Sequence, residues 1–121
     1  MLAGRFKDPQ EVKVLGFIAS FPRFQKEAFE HNMKLVNHVE SLAKEKGCTP
    51  AQLAIAWVHG QGKRPGRPTI IPIPGATTVE RVKENSKLIE LTEEEVKKID
   101  TIVESFDVAG ARYPPGVPIS T

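Results

Sequence analysis

Thr77, Thr78 and Arg81 have the types and the spacing of a phosphate-binding site. Either threonine can cap a helix that begins here, and Glu80, three residues after Thr77, predicts a capping box. A capped helix N-terminus presents free backbone N–H groups and the positive end of the helix dipole. Arg81 adds a full charge and a planar fork of donors that matches a phosphate. The stretch therefore predicts an anion site in which Arg81 binds a phosphate.

Glu84 and Asn85 follow one turn later, on or next to the helix face that carries Arg81. Their side chains could accept and donate hydrogen bonds to a base or a ribose beside the phosphate. The alternative is a plain strand-to-helix connection whose arginine faces water, as isolated arginines usually do. The residue pattern alone leaves both interpretations open.

Thr69–Ile73, just before this stretch, predicts the strand that positions it. The run is apolar and rich in β-branched residues, and Pro74 and Gly75 end it. A buried parallel strand needs neighbours on both of its edges. The chain has one convincing strand, so it cannot build the sheet to which that strand belongs.

Helical patterns account for most of the remaining sequence. Thr49 with Gln52 and Thr92 with Glu95 predict capping boxes, and Gly47 predicts a helix end. We predict a loop region with room for a brief ordered piece over 1–23, helices and the strand over 24–107, and an irregular tail over 108–121. The predicted helices cover about 24–46, 49–58, 78–88 and 92–106.

Composition predicts an ordinary soluble domain. The 121 residues suffice for one modest core, and the net charge of +2 argues against a general nucleic-acid binder. Cys48 is the single cysteine, so no internal disulfide can form and a reducing, cytoplasmic location is expected. No apolar run approaches the length of a membrane span, so no membrane partner is expected.

Three segments resemble the aldo/keto reductase family in order and in spacing. Ile71–Asn85 resembles the last barrel strand and the helix after it, Gly47–Val58 the preceding helix, and Leu91–Asp100 the closing helix. Such reductases are (β/α)₈ barrels. The resemblance implies an α/β fold class: a C-terminal fragment of a TIM barrel, mostly helical with one parallel-type strand. Residues 1–121 would form a partial aldo/keto reductase domain.

The resemblance implies an NADP(H)-dependent reduction of carbonyls to alcohols by hydride transfer in the complete barrel. The family's catalytic tyrosine, lysine, aspartate and histidine lie on earlier strands and have no counterpart here. Tyr113, the only tyrosine, lies in the predicted tail. We therefore expect no catalytic residue in this chain and no activity from the chain alone.

Part of the family's cofactor site does carry over. Arg81 would hold the 2′-phosphate, helped by Thr77 and Thr78, and an arginine there favours NADP over NAD. Glu84 and Asn85 would contact the adenine. Arg5 and Arg23 are second-rank candidates, Arg5 because Leu2–Arg5 resembles a loop near the pyrophosphate. The residues implied at the cofactor are Gly75, Thr77, Thr78, Arg81, Glu84, Asn85, Arg5 and Arg23.

Uncovered barrel edges imply a further partner. Leaving Ile70, Ile71 and Ile73 exposed forgoes about 1.5–3 kcal/mol for each side chain. We therefore expect self-association, partner binding or partial folding. The alternative function is a non-catalytic nucleotide-binding or helical protein-interaction module derived from the same family.

Three other features have ordinary explanations. Gly62–Pro68 resembles an AT-hook, but Pro65 interrupts the motif and a solvated loop explains it equally well. His31 and His38 lack further metal ligands nearby, so no metal site is expected. Cys48 precedes a capped helix but has no histidine partner in sequence, which favours a small buried residue over a reactive thiol.

Overall fold

Four α-helices form about half of the part of the chain that the computed structural model describes, which is residues 6–8 and 10–116, with Leu15 described by its backbone alone. Two 3₁₀ segments precede the α-helices, Glu11–Ser20 and Pro22–Phe24. The α-helices are α1 (Lys26–Lys46), α2 (Pro50–Gln61), α3 (Val79–Ser86) and α4 (Glu93–Ser105). None of them combines the length and apolarity that a bilayer span requires, within those described residues.

The helix boundaries follow the predicted caps. Thr49 and Gln52 form a reciprocal capping box at α2, and Thr92 and Glu95 form another at α4. Gly47 ends α1 in the left-handed conformation, with φ of 74°, which glycine adopts without a steric penalty. These three predictions are confirmed, and they fix where α1 ends and where α2 and α4 begin.

The core lies along α1, which packs against α2 and α4. One buried cluster joins Phe29 of α1 to Phe6 and Val12 of the N-terminal segment. A second joins Ala43, Leu53 and Ile99, one residue from each of α1, α2 and α4. Ile99 is thus the residue through which α4 joins the core.

The predicted strand is wrong for this structure. Thr69–Ile73 belongs to no strand, and the described residues contain none. The side chains still alternate, because Ile70 and Pro72 are half-buried whereas Ile71 and Ile73 are exposed. A strand requires a neighbour for its backbone hydrogen bonds, and no described segment lies beside it as a partner. The mostly helical character of the prediction is confirmed.

The described part of the predicted loop region over 1–23 contains two 3₁₀ segments. Residues 11–20 and 22–24 form 3₁₀ turns, and Val12 enters the core with only 1% of its surface exposed. The sequence obscured this order because Gly16 and Pro22 break any α-helical period. A 3₁₀ turn requires shorter regular runs, so these breaks permit it.

Asp100 of α4 is held by groups from α2 and the loop after it. Trp57 Nε1 donates to Asp100 Oδ1 at 2.9 Å, and Arg64 Nη2 lies 2.6 Å from Asp100 Oδ2. Burial opposes ionisation of this carboxyl, but the bonds from Trp57 and Arg64 outweigh it, so the pKa of Asp100 lies below its ordinary value.

We expect Asp100→Asn to lower the free energy of unfolding by about 1.5 kcal/mol at neutral pH, because a charged hydrogen bond is lost. Since the folded pKa is depressed, the stabilisation is present above the ordinary pKa of 3.8 and is lost as pH falls through the folded value. In urea denaturation, the difference in free energy of unfolding between variant and parent should therefore shrink as the pH falls below 3.8. Glu104→Gln, an exposed position on α4, is the control, and a pH-independent difference would contradict the assignment.

Candidate functional site

The N-terminus of α3 is capped by Thr78. Its hydroxyl oxygen accepts from Arg81 N at 3.3 Å, so Thr78 is the cap and Thr77 lies one residue outside the helix. The predicted capping box between Thr77 and Glu80 is wrong, because the box residue must stand three positions after the cap and Arg81 occupies that position. Both threonine side chains are exposed at this end of the helix.

Arg81 stands in the first turn of α3, beside these two threonines. It is half-buried, and its guanidinium has no hydrogen bond or ion pair with any residue that the structure describes. A fixed positive charge without a carboxylate partner, next to a helix N-terminus, produces a positive field at one point. This arrangement is chemically suited to a dianion such as a phosphate.

Asn85, at the other end of α3, is turned back toward the loop that precedes the helix. Its Nδ2 lies 3.5 Å from the carbonyl oxygen of Gly75 as a donor, at the limit of a hydrogen bond. Glu84 is half-buried beside it, and its side chain has no partner among the described residues. The structure thus places Asn85 against Gly75, and Arg81 and Glu84 lie on the same short helix as Asn85.

Gln52 anchors this segment to the rest of the chain, a role that the sequence did not reveal. Its amide nitrogen donates to the carbonyl oxygen of Glu84 at 3.1 Å, while its amide oxygen caps α2 through Thr49 N at 3.1 Å. The sequence predicted only the capping role. No spacing pattern links positions 52 and 84, which are distant in the chain, so no local signal could have identified the second bond.

An open cleft of about 260 Å³ lies at the C-terminal end of α3. Asn85 lines it together with apolar groups such as Ile55 of α2 and Leu88. His59 and Lys87 also line it, so polar groups stand at its edges. Such a cleft can accept the face of a flat ring while polar groups at its edge fix the orientation.

The second-rank arginines are not part of this segment. Arg23 Nε donates to the carbonyl oxygen of Gly110 at 3.4 Å, and its 3₁₀ turn packs on α1, whereas α3 packs on α2. The structure therefore associates Arg23 with the C-terminal tail. Arg5 lies outside the described residues.

Three further features of the sequence can now be located in the structure. Arg64 of the AT-hook-like loop is bound to Asp100, so that arginine is not free to enter a minor groove. Burial raises the pKa of the Cys48 thiol, which opposes thiolate reactivity. No group of histidine, cysteine and carboxylate side chains in the described ranges could hold a metal ion.

Comparisons with known proteins agree on one family. The model of the aldo/keto reductase family matches residues 3–104. "Aldo-keto reductase yakc [NADP(+)]" of Schizosaccharomyces pombe is 38% identical over 117 residues, which cover 95% of this chain and 33% of that protein. "Probable aldo-keto reductase 1" of Glycine max is 38% identical over 98 residues, which cover 79% of this chain and 27% of that protein.

The match extends along nearly all of this chain but not of its relatives. The chain spans about a third of the length of these two relatives. No solved structure matches it significantly. Because the family model covers most of the sequence, the chain belongs to the aldo/keto reductase family.

Proposed function

We propose that this chain is the C-terminal, cofactor-binding portion of an NADP-dependent aldo/keto reductase. In the complete barrel the cofactor supplies a hydride that reduces a carbonyl compound to an alcohol. The chain contributes the residues that bind the adenosine 2′-phosphate. This proposal rests on the guanidinium of Arg81, which stands at the N-terminus of α3 without a partner among the described residues.

The phosphate would lie at the start of α3. Arg81 supplies the charge and a pair of parallel donors, and the exposed hydroxyls of Thr77 and Thr78 supply neutral donors. Thr78 already accepts the Arg81 N–H through its oxygen, so its own O–H remains able to donate. NADP differs from NAD by this dianion, and the arrangement therefore favours NADP. The name of the Schizosaccharomyces pombe relative also includes NADP(+).

The adenine would lie along α3 toward its C-terminal end. Asn85 places an amide in the lining of the apolar cleft, and Glu84 precedes it on α3; an amide and a carboxylate can both hydrogen-bond to the edge of a purine. Gly75 leaves space for the ligand because it carries no side chain, and a Cβ there would meet nothing within 4 Å. Gln52 would act as a positioning residue, since it holds the backbone at Glu84.

We propose that the chain alone does not catalyse the reaction. Its single tyrosine, Tyr113, packs near Phe21, with ring centroids 6.1 Å apart, and Arg112 lies over its ring. Among the described residues its hydroxyl makes no hydrogen bond with a lysine, an aspartate or a histidine, the partners that a general acid of this kind requires. We expect no carbonyl reduction by the pure chain. The cytoplasmic location of the protein stays a prediction from the sequence.

Titration of the full chain with NADPH, and separately with NADH, tests the proposed site. We expect saturable binding that prefers NADPH, and we expect Arg81→Ala to weaken NADPH binding about tenfold or more, because a charged hydrogen bond contributes about 1.5–3 kcal/mol. Binding of NADH should change little, because it lacks the phosphate. Quenching of intrinsic Trp57 fluorescence or calorimetry gives the affinity.

Arg67→Ala is the matched control. Arg67 is an exposed arginine in the basic loop, and the structure gives it no side-chain partner among the described residues. If both arginine variants weakened NADPH binding equally, non-specific charge attraction would explain the affinity. Equal affinity of the parent chain for NADPH and NADH would exclude the 2′-phosphate site.

A second candidate function is a binding module without catalysis. The observation that favours it is the exposed apolar surface of the extended segment, where Ile73 is 92% exposed. Large exposed apolar side chains next to one another mark interaction surfaces. The two candidate sites adjoin, because Ile71 and Pro72 also line the cleft beside Asn85.

A further inference from the structure

The half-buried face of α3 is polar. Its residues are Arg81, Glu84 and Asn85, which share one side of the helix because they stand at positions i, i+3 and i+4. The apolar residues of the helix face water instead, since Val79 is 63% exposed and Val82 51%, and α3 contains no buried residue. Apolar burial within this chain therefore does not fix the position of α3, and its polar contacts must do so.

Gln52 of α2 makes the hydrogen bond that joins α3 to another helix. Its Nε2 donates to the carbonyl oxygen of Glu84 at 3.1 Å, and the side chain is buried, with 8% of the residue exposed. Among the residues that the structure describes, no other hydrogen bond or ion pair connects α3 with α1, α2 or α4. The N-terminal end of α3 is held separately, by the cap of Thr78 on Arg81 N. Different groups thus fix the two ends of α3.

The bond to α3 accounts for a glutamine at this position of the capping box. A box accepts either glutamate or glutamine as its third residue, because an oxygen is enough to accept from the N-cap N–H. At α4 the box residue is Glu95, whose Oε2 also accepts from Lys46 Nζ at 2.8 Å. At α2 the second partner is the Glu84 carbonyl oxygen, which requires a donor. Only the amide of Gln52 can accept from Thr49 N and donate to that carbonyl.

We propose that Gln52 sets the affinity for the adenosine part that NADP and NAD share, an inference that rests on the function proposed above. Gln52 touches no part of the cofactor. It acts through the backbone at Glu84 and so places Glu84 and Asn85 against the adenine. Arg81 is held by the local cap and keeps its contact with the 2′-phosphate. Gln52 is therefore a positioning residue for affinity and leaves the preference for NADP to Arg81.

Two substitutions of Gln52 test this role in titrations of the full chain with NADPH and with NADH. Gln52→Glu keeps the acceptor for Thr49 N but removes the donor to the Glu84 carbonyl. Gln52→Met removes both bonds without adding a charge. We expect each variant to raise the dissociation constants of both nucleotides about fivefold or more, because a buried acceptor loses its partner. In Gln52→Met the ratio of the two constants should equal that of the parent chain.

Ala51→Glu is the matched control for the added charge. Ala51 is half-buried and stands next to Gln52 in the first turn of α2, and the substitution removes no side-chain hydrogen bond. We expect it to leave NADH binding within twofold of the parent. Circular dichroism verifies that all variants keep their helices. If Ala51→Glu weakened NADH binding as much as Gln52→Glu did, charge would explain the effect and the proposal would be overturned.

Double variants separate positioning from a general loss of structure. In the Asn85→Ala background, Gln52→Met should weaken NADH binding much less than it does in the parent, because the contact that Gln52 positions is already absent. In the Arg81→Ala background it should weaken NADPH binding by its full factor. A merely structural role would give the same further loss in both backgrounds, and that result would overturn the proposal.

Hydrogen exchange at Thr49 N–H gives a readout that needs no affinity measurement. This N–H bonds to the Gln52 amide, and coupling between two sites is reciprocal, so a bound cofactor that depends on Gln52 must in turn hold Gln52 in place. We expect saturating NADPH to slow this exchange about twofold to fivefold. Thr92 N–H, in the corresponding bond to Glu95 at α4, is the internal control. Equal slowing at both amides would indicate general stabilisation and would contradict the coupling.

The outcomes distinguish this inference from the proposed function. A parent chain that prefers NADPH through Arg81, with Gln52 variants that bind both nucleotides as tightly as the parent, would overturn the role of Gln52 alone. A Gln52→Met chain that loses affinity for NADPH but not for NADH would also overturn it, because the shared adenosine part would then be unaffected. A folded parent chain that binds neither nucleotide would overturn the proposed function and this inference together.

Discussion

Replacing Asn32 by aspartate is expected to lower the free energy of unfolding by about 3 kcal/mol at neutral pH, because the change buries a charge and replaces the amide donor by an oxygen that faces another acceptor. Asn32 of α1 is 2% exposed. Its Nδ2 donates to the carbonyl oxygen of Ala109 at 2.9 Å, and its Oδ1 accepts from Ala109 N at 2.9 Å. One amide side chain thus satisfies both backbone groups of a tail residue.

Aspartate has nearly the same shape but cannot reproduce this pair of bonds. Its second oxygen would face the Ala109 carbonyl oxygen, so a hydrogen bond becomes a repulsion between two acceptors. Protonation would restore a donor, so the deficit should shrink as pH falls. Urea denaturation of parent and variant at several pH values measures both effects, and hydrogen exchange at Ala109 N–H reports on the tail directly.

Asn37→Asp is the control for this prediction. Asn37 lies on the same helix and is exposed, so the identical chemical change there should alter the stability by only a few tenths of a kcal/mol. Equal effects at both positions would show that α1 responds to charge alone. A deficit at Asn32 that did not shrink with acid would contradict the role of the missing donor.

The helices could be predicted from the sequence because their signals are local. Thr49 with Gln52, Thr92 with Glu95 and Gly47 act within a few residues of the backbone groups that they satisfy. The strand was mispredicted for a physical reason. The β-branched run indicates a pairing tendency, and pairing requires a second segment that the described chain does not supply.

The candidate site likewise combines local features that the sequence predicts with distant contacts that it does not predict. The position of Arg81 in the first turn of α3 followed from local spacing and from the family resemblance. The sequence could not tell which threonine caps the helix, because Thr77 and Thr78 both fit the capping pattern. The structure shows that the cap is Thr78. The contacts of Gln52 with Glu84 and of Asn32 with Ala109 join distant positions. Only the folded chain reveals such pairs.

Replacing Gly110 by alanine is the second large effect that we expect. Gly110 has φ of +79°, a conformation that costs about 1–2 kcal/mol for a residue with a Cβ. The added Cβ would also lie 2.7 Å from the carbonyl oxygen of Pro22 and 2.8 Å from the backbone of Arg23. These are backbone atoms, which cannot rotate away as a side chain can. We expect a loss of about 3 kcal/mol in urea denaturation.

Gly66→Ala separates the two causes. Gly66 has nearly the same backbone angle, φ of +77°, but a Cβ there would meet nothing within 4 Å. Gly66→Ala should therefore lower the free energy of unfolding by only the conformational cost, about 1–2 kcal/mol. The additional loss of stability in Gly110→Ala measures the steric effect of the close approach between the tail and the Pro22–Phe24 turn. Arg23 bonds Gly110 and Asn32 bonds the adjacent Ala109. We therefore expect the Gly110→Ala, Asn32→Asp double variant to lose less stability than the sum of the two single losses. A double variant whose losses simply add would indicate that the two contacts hold the tail independently.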